Sequence, residues 1–78
     1  MDRVELFSRI EGKKLDITSE HMHLSTETPV RISLDGEIQW QNNSISFNWD
    51  SIDDIKEIEQ DTFSFYESGK EICIVIIP

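Results

Sequence analysis

A single cysteine, Cys73, is all that the 78-residue chain offers for disulfide chemistry, so no intrachain disulfide can staple it. A lone cysteine fits a reducing compartment better than an oxidising one. Long apolar runs are missing too. The longest, Ile72 to Ile77, is far shorter than the twenty or so residues a bilayer-spanning helix needs. The start, Met1-Asp2-Arg3-Val4-Glu5, has neither the basic residues nor the apolar stretch of a signal peptide. The expectation is therefore a cytoplasmic protein with no membrane partner. Basic residues are scarce: seven against sixteen acids, a net charge of −9. That excludes direct binding to nucleic acid or anionic lipid as a leading function, because both need cations to replace counterions. With three glycines there is no room for a phosphate-cradling loop, and no Gly-x-Ser-x-Gly or His-Glu-x-x-His is present. The expectation is a protein that is not an enzyme and carries no cofactor.

What is present is an alternating apolar pattern, in a chain long enough for one domain, residues 1–78, and no more. Asp2 can cap a short helix, with Glu5 three residues on and Gly12 to end it; Val4, Leu6, Phe7 and Ile10 would share its apolar side. A strand from Arg3 is the competing reading. From Leu15 the period becomes two. Leu15 and Ile17 alternate with polar residues, and so do Met22 and Leu24. Val30, Ile32 and Leu34 run into Asp35-Gly36, Ile38 and Trp40 follow, and Asn42-Asn43 precedes Ile45, Phe47 and Trp49. Asp-Gly between alternating runs predicts a tight primed hairpin turn, and asparagine tolerates the same left-handed backbone. The pattern predicts a three-stranded meander. Ile52, Ile55 and Ile58 then allow either a helical turn or a strand leading towards Phe63 and Phe65. Thr62 to Tyr66 should pair with Glu71 to Ile77 across Ser68-Gly69. That last strand is apolar on both faces, so it must run through the centre of a barrel or sandwich, or be covered by a second copy in a homodimer.

The groups that could carry chemistry read more plainly as structure. His21 and His23 could share a metal on one strand face, but no third ligand is indicated, and an exposed pair beside a buried Met22 is the simpler reading. Cys73, set among isoleucines and valines, reads as buried and unreactive rather than as a nucleophile. Residues 50–61 lack the central glycine and the oxygen spacing of an EF-hand.

The charge is uneven. Residues 1–34 carry six acids and five bases, whereas residues 35–71 carry ten acids and only Lys56 and Lys70. Six of those acids, Asp50, Asp53, Asp54, Glu57, Glu59 and Asp61, fall within twelve residues, offset by Lys56 alone. On a strand, Glu57, Glu59 and Asp61 would share one face at roughly 6.6 Å intervals, close to the spacing of phosphates along a nucleic-acid backbone. Asp35, Glu37, Glu67 and Glu71 are candidate outer contributors. The competing explanation is that the charge serves solubility alone.

In size, acidity and the Asp50–Asp61 stretch, the chain resembles the small phage-encoded proteins that mimic DNA. The resemblance implies an inhibitor used in host takeover or counter-defence. It also implies a basic nucleic-acid-binding partner: a histone-like protein, a polymerase subunit, a repressor or a nuclease. Separately, Ile45 to Ile58 is similar to the strand–turn–strand pattern of small pleckstrin-like and Sm-like barrels, which bears on fold alone. The sequence thus predicts a mostly β, antiparallel curled sheet or small barrel of five to seven short strands with one or two short helical segments. The leading function is a non-enzymatic inhibitor with an acidic, DNA-like face. The alternative is an interaction or assembly module that binds through apolar surface, at the Ile72–Ile77 strand or at an exposed Trp40 or Trp49.

Overall fold

The structure, a computed structural model, describes all residues from Met1 to Pro78. It opens on a helix, α1 (Arg3–Ile10), whose first turn is closed by the Asp2 carboxylate accepting from the Glu5 N–H at 2.8 Å. Glu11 ends the helix, and Gly12 follows in the left-handed region at φ 78°. Leu6 and Ile10 are buried and Phe7 partly so, but Val4 faces solvent. The apolar side of α1 is thus narrower than the spacing predicts.

Eight strands follow, all paired antiparallel. Five of them, β1 (Asp16–Ser19), β2 (His23–Ser25), β6 (Asp54–Glu59), β7 (Thr62–Glu67) and β8 (Lys70–Ile76), form one sheet in the order β2-β1-β8-β7-β6. The other three, β3 (Arg31–Ile32), β4 (Ile38–Trp40) and β5 (Asn43–Ile45), form a meander as a second sheet, but its third strand ends at Ile45 and does not include Phe47 and Trp49 as expected. A 3-10 turn, Trp49–Ser51, joins the two sheets. The class is mostly β and antiparallel, as predicted, with the strands divided between two sheets. The twelve core residues come from α1 and both sheets, with Phe63, Phe65, Ile17, Val75, Val30 and Ile38 among the most deeply buried. Two backbone bonds tie the helix exit to the small sheet: Gly12 N–H to Val30 O at 2.8 Å, and Val30 N–H to Lys13 O at 3.0 Å.

The turns correct the sequence in detail. Ser68 and Gly69 both have positive φ, as a primed two-residue turn requires, and β7 pairs with β8 across them as expected. The Asp35-Gly36 turn is not of that kind. Ile32 pairs with Ile38, so five residues lie between, and only Gly36 has positive φ (82°). Leu34 therefore sits at the loop tip, fully exposed, instead of continuing the apolar row. The next turn falls one residue early. Trp40 pairs with Asn43, which leaves Gln41 in the left-handed region at φ 50°. The isoleucines at 52, 55 and 58 do not make a helix, because Asp54–Glu59 is a strand.

β8 is the central strand of the large sheet, with Cys73 and Val75 pointing into the core and β1 and β7 on its two sides. This also overturns two local expectations. Met22 is 38% exposed rather than buried, and His21 lies in the bend before β2, so the two histidines do not share a strand. Trp40 is buried, and Trp49 is half-buried with its indole N–H donated to Gly36 O at 3.0 Å, so neither is the fully exposed tryptophan expected.

Candidate functional site

The expected row of carboxylates along β6 does not form, because a bulge interrupts it. Glu57 pairs with Phe63 but Glu59 pairs with Thr62, with the register shifting between them. Residues directly opposite in an antiparallel pair share a face. Phe63 and Thr62 are neighbours on β7 and point to opposite faces. Glu57 therefore lies on the core side of the sheet and Glu59 on the outer side. Asp61, at φ 59°, belongs to the turn between β6 and β7.

Two of these acids are also engaged from within the chain, by a single cation. Arg9, in the last turn of α1, grips Glu57 with both ends of its guanidinium: Nη1 to Oε1 at 2.9 Å and Nη2 to Oε2 at 2.7 Å. Nη2 also reaches Asp61 Oδ1 at 2.9 Å, and Glu57 Oε2 accepts the Asp61 N–H at 2.9 Å. Such planar, bidentate pairing is the geometry for which arginine suits carboxylates. The guanidinium also lies 5.1 Å from the centre of the Phe63 ring. These bonds from Arg9 hold the Glu57 carboxyl down at about 2 and push the guanidinium upward. Glu57 and Asp61 thus fasten α1 to the β6–β7 hairpin.

The remaining acids gather elsewhere. Asp50 on the 3-10 turn, Asp53 and Asp54 before and at the start of β6, and Asp2 at the helix cap line one open groove of about 610 Å³. Trp49, Ile52, Ile55 and Met1 supply its apolar lining, and Arg3 places one cation in it. Asp53 accepts the Ser68 N–H, and Asp54 is 3.8 Å from Lys56 Nζ. The Met1 ammonium is turned to Ile55 O at 2.8 Å. Asp50 makes no ion pair. Trp49 is held rigidly, edge-on to Phe7 at 5.1 Å and against Phe47 and Phe65 at 5.3 and 5.7 Å. A groove with an aromatic and aliphatic lining beneath fixed carboxylates can take a lysine or arginine, its stem on the apolar surface and its head among the acids. Asp2 is the member that sequence reasoning missed. Its capping role was legible, but its closeness to residues 50–54 comes only from how α1 docks.

The outer contributors are dispersed. Asp35 is exposed at the β3–β4 turn, and Glu37, half-buried, accepts from Gln39 Nε2 at 2.8 Å and Ser46 Oγ at 3.3 Å. Glu67 and Glu71 flank the β7–β8 turn, where Glu71 accepts from the Ser64 hydroxyl. None of these four lines the groove. Cys73 is buried, its thiol pushed up to about 11 by desolvation and, to a lesser degree, by Glu71. No helix is long and apolar enough to cross a membrane.

Comparison with family models, with curated proteins and with solved structures finds no match. The functional reading rests on the groove and on the charge around it.

Proposed function

We propose that the protein is a non-enzymatic inhibitor that offers its acidic groove to a basic, nucleic-acid-binding protein and competes there with the nucleic acid. The observation that carries this reading is the convergence of Asp2, Asp50, Asp53 and Asp54 around an apolar lining that includes Trp49 and Ile52. A cationic side chain that normally meets a phosphate would find carboxylates in the phosphate's place and an aromatic surface in the base's place. Net charge adds to this at a distance. At −9 the chain steers a basic partner towards itself before contact, an effect that salt suppresses. Glu57 and Asp61 drop out of the binding set because Arg9 already holds them. Host takeover or counter-defence in a bacterial cytoplasm is the setting that suits such an inhibitor. Its targets are histone-like proteins, polymerase subunits, repressors and nucleases.

The test is a pull-down from bacterial lysate, eluted stepwise with salt and repeated with excess duplex DNA. The expected result is a basic DNA-binding protein that both salt and DNA release, and that is lost with Asp50→Lys/Asp54→Lys but kept with Asp35→Lys. A partner that resists salt and DNA alike, or that binds the double variant equally well, would refute acidic mimicry. It would favour instead a module that binds through apolar surface.

A further inference from the structure

Three of the four groove acids are already engaged inside the chain. Asp2 accepts the Glu5 N–H at 2.8 Å, Asp53 accepts the Ser68 N–H, and Asp54 stands 3.8 Å from Lys56 Nζ. Asp50, exposed on the 3-10 turn, has no ion pair, and neither has Arg3, the one cationic side chain of the groove. The Met1 ammonium is turned to Ile55 O. Beside Asp50, the Trp49 indole gives its N–H to Gly36 O at 3.0 Å, so it offers the groove ring surface and no donor. The open position is one exposed carboxylate next to one fixed aromatic ring. Acceptor oxygens without donors suit a head group that is made only of donors.

Elsewhere the chain shows which cation best fills such a setting. Arg9 lies 5.1 Å from the centre of the Phe63 ring and still bonds Glu57 at 2.9 and 2.7 Å and Asp61 at 2.9 Å. Lys56 lies at the same 5.1 Å from the Tyr66 ring, but it comes no closer than 3.8 Å to Asp54. The difference follows from shape and hydration. A guanidinium is flat, so it can rest against a ring while aiming two N–H bonds at one carboxylate, and it sheds water more readily than an ammonium. We propose, building on the groove as the binding site, that it is an arginine site: one guanidinium of the partner seats on both oxygens of Asp50 with its plane against Trp49, and a lysine is taken less well. The aliphatic stem of that arginine lies along Ile52. The partner is thus a basic protein that presents an exposed arginine, the side chain that pairs bidentately with phosphate when nucleic acid is bound.

Arg3 works against the incoming cation. It shares the groove without neutralising Asp50 by contact, so it repels a guanidinium there and leaves the carboxylate open. One exposed carboxylate and one ring hold a single side chain weakly. A free arginine derivative therefore binds in the millimolar range, and the contrast between ligands carries the test.

Amide NMR titrations with N-acetyl-arginine amide and N-acetyl-lysine amide, at one fixed ionic strength, test this directly, with circular dichroism to verify that each variant is folded. The arginine derivative should shift the Trp49 indole N–H and the Asp50 and Ile52 amides saturably, with a dissociation constant about threefold or more below that of the lysine derivative. Asp50→Asn should weaken arginine about fivefold and remove its advantage over lysine. Asp35→Asn, outside the groove, should change neither ligand, and Arg3→Gln should tighten arginine about twofold. Equal affinities for the two derivatives, arginine binding that survives Asp50→Asn unchanged, or no saturable shift at these positions would each overturn the inference. The lysate pull-down separates it from the reading on which it builds. A DNA-displaceable partner recovered while the two derivatives bind alike leaves acidic mimicry standing and removes the arginine site. Selective arginine binding without such a partner does the reverse.

Discussion

Replacing Gly36 by alanine should destabilise the protein more than the same change at Gly12, and the difference measures how tightly Trp49 is packed. Both glycines have positive φ, 82° and 78°, so both substitutions carry the left-handed strain of an L-residue, about 1–2 kcal/mol. At Gly12 that is all, because a methyl group there meets nothing within 4 Å. At Gly36 the new Cβ would lie 2.8 Å from Trp49 Nε1, 3.2 Å from its Cδ1 and 3.3 Å from Phe7 Cζ. The indole cannot swing clear without cost. It is wedged among Phe7, Phe47 and Phe65, and its N–H is bonded to the Gly36 carbonyl. Overpacking adds about 1–3 kcal/mol, and loss of the indole hydrogen bond adds about 1 kcal/mol. The expected totals are about 1–2 kcal/mol for Gly12→Ala and about 3–6 kcal/mol for Gly36→Ala, a gap of at least about 2 kcal/mol. Urea unfolding followed by tryptophan fluorescence and circular dichroism would measure both. A gap of about 2 kcal/mol corresponds to roughly 8–16 °C in melting temperature for a chain of this size. Equal losses at the two sites would refute the account of Trp49 as a locked wall of the groove. In a Trp49→Phe background the gap should shrink, since the nearest atom is gone.

Two further predictions concern titration. The Glu57 carboxyl is held at about 2, from an ordinary 4.5, chiefly by its hydrogen bonds from Arg9, so its contribution to stability is present above about pH 4.5 and is lost as pH falls towards 2. Thermal melts across that window should show wild-type protein losing more stability than Glu57→Gln or Arg9→Met; parallel curves would show that the clamp does not hold α1. The Cys73 thiol, raised to about 11 from 9.0 by burial, favours the folded state below pH 9, and that stabilisation fades as pH rises through 11. At pH 8 a thiol reagent should modify unfolded protein rapidly and native protein only at the rate of unfolding; fast native labelling would contradict the burial of β8.

Several elements could be read from the sequence because they depend on neighbours along the chain. Asp2 and Glu5 define the start of α1, Ser68-Gly69 supplies two left-handed residues for the β7–β8 turn, and the run of alternating residues around Ile38 produces the small sheet. The errors came where a local pattern admits two registers. Val30, Ile32 and Leu34 alternate as a strand would, yet the turn takes Leu34, because Ile32 pairs with Ile38. Glu57 and Glu59 have strand spacing, yet one extra residue in β6 sends them to opposite faces.

The candidate site divides in the same way. Composition alone determined the excess of acid, its concentration in residues 35–71 and the mostly β class, since these need only counting and periodicity. Tertiary structure decided which acids are free. Arg9 is 48 residues from Glu57 in sequence, and its grip depends on where α1 docks. The same docking carries Asp2 to Asp50, Asp53 and Asp54. A carboxylate's charge is a property of its residue, whereas its availability depends on whether another part of the chain has folded against it.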